Sequence, residues 1–491
     1  MIDLVDIDAR PTLDDYATYL HLRPAVEQLR ETADQYRSAF EGRTVWMVNS
    51  TAEGGGVAEM LPTLVSLLRE VGVATEWAVI GTEREAFFPL TKTIHNLLHG
   101  AGDPSVIDEQ EGLYATVSRE LADAFEERLG PDDVLVVHDP QPLGMGAVLK
   151  ERTGVSAVWR CHIGLDYDNA QTKAAWDFLQ PWIAPYDQTV FSLPNYVPDR
   201  LKDRATIINP AIDPLSPKNR DLALQELTSI LVDAALTASI HPPLTPPYEA
   251  VVKRLQANGD FAPATQPEDL GVMFRPTIVQ VSRWDELKGF APLMEGFARL
   301  KKRRWNGGRS PLHQRRLDLS RLVLAGPDPA SIQDDPEAQA VFEDLTRAYQ
   351  QLHPQVQRDV AVLMLPMDSL EKNALIVNAL QRCAIIVVQN SLQEGFGLTA
   401  TEGMWKGRPI LASDAVGLRA QVREGTDGRR VREAEDPDEI ARTLDEMLSD
   451  AELCEAWGHN ARNRAAERFL VFEQVRQWIQ TLHAVLEQET A

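Results

Sequence analysis

Two glutamates, Glu394 and Glu402, stand eight residues apart in the run EGFGLTATE. An apolar stretch, 384–388, precedes them, and a helical pattern over 398–406 follows, closed by Gly407 and Pro409. A strand, a glycine-bearing turn and a helix in that order aim backbone N–H groups at whatever lies above the turn, and anions bind there. A carboxylate at each end of such a turn suits hydroxyls carried close to phosphates. That combination describes a nucleotide sugar.

Four further groups of residues have the types that such chemistry needs. Gly54, Gly55 and Gly56 follow the apolar stretch 44–49 and permit close backbone approach. The run is neither GxGxxG nor a P-loop, which disfavours dinucleotide and NTPase readings. Taken alone, it is equally well a tight turn. Arg283 and Lys288 lie just after a strand pattern at 277–282. They could clamp a diphosphate and neutralise a leaving group, or be surface cations bonded to the neighbouring Asp285 or Glu286. His138, Asp139 and Gln141, set among Pro140 and Pro142, end the strand pattern 134–138 and are placed to hydrogen-bond a polyol. His162 ends the next strand pattern, and two histidines on successive strand ends suggest one shared site. No HExxH or other metal-ligand spacing occurs, so no protein-bound metal is expected, and no GxSxG elbow is present.

These groups need strand ends to hold them. Apolar strand patterns at 44–49, 75–80, 134–138, 155–161, 188–192 and 206–208 alternate with helical stretches such as 57–70 and 116–128. A second series begins at 277, with strand patterns at 277–282, 321–325, 359–363, 384–388, 409–412 and 428–431, and a helical tail from 437 to 489. Alternation of this kind predicts mostly parallel sheets covered by helices on both faces. The expected fold class is α/β, with two Rossmann-like, doubly wound domains facing a cleft. The first spans 1–210 and the second 277–469, with 211–276 as a linker or insertion. Within that insertion 222–256 has helical apolar spacing, and 241–247 is proline-rich. The basic stretch 301–316 reads as a solvated loop or as a partner or oligomer contact, and a homodimer is compatible with the sequence.

A chain of 491 residues with a net charge of −24 has no general attraction for nucleic acid or an anionic membrane surface. An anionic substrate must therefore meet a local basic pocket. Three widely spaced cysteines suggest reduced thiols. No apolar run approaches the roughly 20 residues of a membrane span, and the N-terminal MIDLVDIDAR lacks the pattern of a signal peptide. A soluble, cytoplasmic protein with small-molecule partners is expected.

With these residues in hand, the chain resembles the retaining family 4 glycosyltransferases of the GT-B fold, whose E-x7-E signature EGFGLTATE matches. Within that family it looks most like the trehalose glycosyltransferring synthases, through NSTAEGGGVAEML (49–61), HDPQP (138–142), WRCHI (159–163), FSLPNYVPDRL (191–201), INPAIDPLSPKN (208–219), QVSRWDELKGF (280–290) and QNSLQEGFGLTATEGMWKGRPI (389–410). The resemblance implies transfer of glucose from an NDP-glucose co-substrate (ADP-, UDP- or GDP-) to glucose, giving α,α-trehalose. It implies no tightly bound cofactor, with Mg2+ stimulation compatible without a protein metal site.

By the same resemblance, Glu394 would hold donor-sugar hydroxyls and Glu402 the ribose hydroxyls. Amides of Gly397, Leu398 and Thr399 would cap the diphosphate, while Arg283 and Lys288 stabilise the departing NDP. Gly54, Gly55 and Gly56 would approach the donor phosphate, His162 would line the donor glucose, and His138, Asp139 and Gln141 would face the acceptor. The closing helix, about 470–488, would cross back to the first domain. Trehalose phosphorylase, a family 4 enzyme with another acceptor, and a non-catalytic nucleotide-sugar-binding protein are the alternative readings.

Overall fold

The computed structural model describes every residue except 9, 54, 239–247, 267, 303–309, 330–335 and 491. Two compact units result, one of Met1–Asp213 with Arg468–Ala491 and one of Pro214–Glu467.

In the first unit seven strands form one sheet: β1 (Ile2–Leu4), β2 (Val45–Asn49), β3 (Thr75–Ile80), β4 (Val134–His138), β5 (Ser156–Cys161), β6 (Gln188–Phe191) and β7 (Ala205–Ile207). Their spatial order is β1-β3-β2-β4-β5-β6-β7. Only β1 is antiparallel to its neighbour; all other pairings are parallel. Every residue of β2, β4 and β5 is buried, as expected of central parallel strands with helices on both faces. The chain steps from β2 outward to β3 and then crosses back to β4, so the direction of winding reverses between β2 and β4. The last helix, Val471–Thr490, packs here on helices Arg23–Tyr36 and Gly55–Glu70. Phe472 meets Tyr16 edge-on at 5.0 Å.

The second unit holds eight strands: β8 (Lys253–Leu255), β9 (Phe261–Pro263), β10 (Thr277–Val281), β11 (Arg321–Pro327), β12 (Val360–Leu365), β13 (Ala384–Gln389), β14 (Ile410–Ser413) and β15 (Gly428–Val431). The order is β15-β14-β13-β10-β11-β12-β8-β9. The six strands from β10 to β15 are parallel, and the winding reverses between β10 and β13. A core of Trp284, Phe290, Leu293, Phe297, Leu324 and Ile440 supports this sheet.

Residues 214–276, expected as a linker or insertion, are part of the second unit. The helical spacing within them forms helix Leu224–Asp233. Strands β8 and β9 extend the sheet antiparallel beyond β12. The proline-rich run 241–247 lies outside the described residues, as do 303–309 of the basic stretch; the rest of that stretch enters helix Pro311–Leu319.

Candidate functional site

Ligands of open parallel sheets bind beyond the carboxyl ends of the strands, where the winding reverses. In the second unit that point is flanked by the loops after β10 and β13, the loops that carry Arg283, Lys288 and Glu394. The first loop is pinned from below by Trp284, which is fully buried and donates Nε1–H to the Pro327 carbonyl at 2.7 Å. Asp285 then caps a single turn at 286–288 by accepting the Leu287 N–H at 2.8 Å. Gly289 ends it at φ +59°, with its α-carbon so close to Asn390 that an added Cβ would lie 2.1 Å from the Asn390 carbonyl oxygen. Such contact leaves room only for glycine.

The two loops are braced together by polar side chains. Gln280 donates to the Lys288 carbonyl at 2.7 Å and accepts the Asn390 N–H at 3.0 Å. Asn390 donates to the Gly289 carbonyl at 3.1 Å, and the Leu392 N–H to the Leu287 carbonyl at 2.7 Å. Held in this way, Lys288 donates to Glu394 Oε2 at 2.7 Å, with the two side chains 16% and 13% exposed. Ser391 Oγ donates to the same carboxylate oxygen at 2.9 Å and Gln389 Nε2 at 3.4 Å. Lys288 thus bonds a carboxylate 106 positions away rather than its acidic neighbours Asp285 and Glu286. Arg283 is exposed beside the buried Trp284.

Three residues beyond Glu394, Gly397 takes φ +89° as the N-cap of helix Leu398–Trp405. A Cβ there would meet Leu418 at 2.7 Å and Glu394 Cγ at 3.0 Å. The first amides of that helix, Leu398 and Thr399, carry the positive end of its dipole. Glu402 lies in the helix's second turn and is buried, with Gln381 Nε2 at 3.5 Å from Oε2 and Lys218 Nζ at 3.8 Å from Oε1. Beneath it Lys406 is 5% exposed, and burial brings its ammonium down to about 7.

In the first unit the corresponding reversal lies between β2 and β4. Helix Gly55–Glu70 starts directly after the β2 loop; Gly54 falls outside the described residues, and Gly56 faces open space. After β4, Asp139 takes φ +65°, a conformation that costs a non-glycine residue of order 1–3 kcal/mol and persists only where its surroundings impose it. Here the Asp139 carboxylate accepts the His162 N–H at 2.8 Å, and its carbonyl accepts Trp159 Nε1–H at 3.1 Å. Burial raises the Asp139 carboxyl to about 6, against the opposing pull of the His162 amide and the Arg160 guanidinium. Gln141 lies in the first turn of helix Pro140–Thr153 and is half-buried.

His138 and His162 do share one site, with His138 Nδ1 and His162 Nε2 2.9 Å apart and the rings stacked. His138 Nε2 faces Met47 Sδ at 3.5 Å. A thioether offers no proton, so His138 carries its hydrogen on Nε2 and His162 donates from its own Nε2. Burial first, then Arg160, pushes His138 down to about 3 and His162 well below the usual imidazole range. Both rings are neutral near pH 7. His138 is only 1% exposed, with its two nitrogens facing His162 and Met47, so it backs the His162 ring.

The sequence reading passed over Gln280, Trp284, Asn390 and Lys218. Gln280 and Asn390 had a signal, since one is a polar amide inside an otherwise apolar strand and the other a polar amide just after one. Trp284 and Lys218 had none, because their partners are distant in the chain. Among the described residues no group of three or more His, Cys, Asp or Glu side chains is placed to hold a metal ion, and no helix is long and apolar enough to cross a membrane.

Comparison with known proteins agrees with this geometry. Residues 47–198 match the family profile described as trehalose synthase, N-terminal domain, and residues 272–464 that of glycosyl transferases group 1. The chain is 31% identical to a trehalose synthase of Pyrococcus horikoshii over 96% of each chain. It is 31% identical to a trehalose synthase of Rubrobacter xylanophilus over 93% of each. An α,α-trehalose-phosphate synthase (UDP-forming) from Burkholderia xenovorans superposes with a TM-score of 0.61 at 15% identity, over 91% of this chain and 100% of that one; this likeness carries the fold. Two Rossmann-like units, with cations and a helix N-terminus gathered where one sheet reverses, define a glycosyltransferase of the GT-B fold. The chain belongs to the trehalose synthase family of these enzymes.

Proposed function

We propose that the protein is a retaining glucosyltransferase of the cytoplasm that forms α,α-trehalose from an NDP-glucose and free glucose. One observation carries this reading: the reversal point of the second sheet gathers Lys288, Glu394 and the N-terminus of helix Leu398–Trp405 in one place. A diphosphate there would meet the Leu398 and Thr399 amides, with Lys288 and Arg283 supplying the countercharge that grows in demand as the NDP departs. Glu394 would accept from hydroxyls of the donor glucose, and Glu402 from those of the ribose. In the first unit, His162, Asp139 and Gln141 would serve the sugars, with His138 fixing the His162 ring.

Glu394 is engaged by Lys288, Ser391 and Gln389 rather than set as a nucleophile. This favours front-face transfer, in which the acceptor hydroxyl attacks the donor anomeric carbon as its bond to the phosphate oxygen breaks. The acceptor proton then passes to that phosphate oxygen, so no protein nucleophile is needed. The test is incubation with ADP-, UDP- and GDP-glucose plus glucose, followed by NMR assignment of the product. An α,α-1,1-linked disaccharide formed with release of NDP is expected. Donor binding without a glycosyl product, or turnover that requires inorganic phosphate in place of a nucleotide, would overturn the reading.

A further inference from the structure

The segment that opens the second unit, 214–221, has no part in the chemistry described so far, yet it is held with unusual care. Asn378, fully buried, donates to the carbonyls of Pro217 at 3.0 Å and Arg220 at 2.9 Å. Arg382 donates to the Arg220 carbonyl and to Asp221, both at 2.9 Å. Trp405 Nε1–H donates to the Asn219 carbonyl at 3.2 Å, and the buried Lys406 ammonium to Asn219 Oδ1 at 3.3 Å. Three side chains, Asn378, Arg382 and Trp405, thus fix the backbone on both sides of Lys218, and Lys406 holds the Asn219 side chain.

What this anchoring presents is one ammonium group. Lys218 Nζ lies 3.8 Å from Glu402 Oε1, with side chains 35% and 8% exposed respectively. At that distance and exposure the pair adds little to stability, so the strength of the ion pair is no reason for the anchoring. The geometry is more informative. Oε2 of Glu402 is turned to Gln381, and Oε1 is the oxygen that Lys218 approaches. A carboxylate only accepts hydrogen bonds and an ammonium only donates them, whereas a hydroxyl does both. A carboxylate and an ammonium side by side therefore match a vicinal diol, whose protons go to one and whose oxygen lone pairs go to the other.

We propose that Lys218 is a ribose-binding residue, donating to the ribose hydroxyl oxygens whose protons Glu402 accepts. The assignment rests on the reading of Glu402 as a ribose contact and extends it to a residue of the preceding segment. Lys218 acts on the ribose diol of the nucleoside diphosphate and leaves the acceptor glucose untouched.

Calorimetric titration of wild type, Lys218→Ala, Lys218→Arg and Glu402→Ala with UDP and with 2′,3′-dideoxy-UDP tests this. Lys218→Ala is expected to weaken UDP about tenfold, the scale of one charge-assisted hydrogen bond. It is expected to leave dideoxy-UDP within about twofold and the KM for glucose unchanged, with Lys218→Arg recovering part of the loss. A purely structural role would lower Tm and weaken both nucleotides alike, or neither, and that result overturns the proposal. If Glu402→Ala discriminates between the two nucleotides while Lys218→Ala does not, Lys218 alone is misassigned. If wild type itself binds both equally, the ribose reading of Glu402 falls as well. Should Lys218→Ala fold poorly, Lys218→Met keeps the aliphatic stem and is read by the same criteria.

Discussion

A double-mutant cycle on Lys288→Met and Glu394→Gln asks whether the 2.7 Å pair works as a unit. Both changes keep side-chain length and remove one charge. Glu394 retains Ser391 and Gln389 as donors when the ammonium is lost, so neither single variant strands a bare carboxylate. With both side chains less than one-fifth exposed, an effective dielectric constant of about 20 gives an attraction of about 6 kcal/mol at this separation. Desolvation of the two ions offsets most of that. A coupling of about 2 kcal/mol remains, a factor of roughly thirty. Each single change is expected to lower kcat by about 10²–10³, the usual result of removing one group that stabilises developing charge. The KM for NDP-glucose should move far less, because the charge on the leaving diphosphate grows only toward the transition state. The double variant should then be about thirtyfold more active than the product of the two single losses. The assay is NDP release at saturating donor and glucose, with Tm recorded for each variant. Losses that add to within about 0.5 kcal/mol would show that the contact has no functional coupling, and the argument from geometry would fail.

Gly289→Ala places a Cβ 2.1 Å from the Asn390 carbonyl at φ +59°. It should lower Tm and reduce kcat/KM together, by about 1–3 kcal/mol of strain shared between stability and the displaced Lys288 loop; unchanged thermal melting and kinetics would contradict the close approach. Asp139 titrates at about 6 in the fold against an ordinary value of 3.8, so the folded state binds the extra proton and stability falls as pH rises from about 4 to about 6. Asp139→Asn is expected to remove that slope and to stabilise the protein at pH 7.5 by up to about 3 kcal/mol, with no gain at pH 3.5. Melting curves at the two pH values check it, and equal shifts at both would refute the ionisation argument.

Much of the fold was legible in residue order because its signals are local. Six apolar strand patterns in each half alternate with amphipathic helices, and all twelve correspond to strands of the structure within a few residues. β1, β8 and β9 were missed because they are three-residue strands that lie outside the two βα series, whereas the equally short β7 continues the first series. Lys288, Glu394 and Gly397, which the structure brings together, were also singled out in the sequence, because each follows an apolar strand pattern; the tight-turn and surface-cation readings stayed open there.

Residue order alone therefore determined two βα series, their parallel character and a set of polar strand ends able to hold an anion. Tertiary structure decided which strand ends are neighbours. Strand order arises from pairings between distant segments, and no local pattern encodes that β13 lies beside β10 rather than β12. That one adjacency brings Glu394 to Lys288. The same non-local packing turned His138 inward and carried Lys218 to Glu402. Each follows from burial and hydrogen bonding with partners far along the chain, which periodicity and spacing do not record.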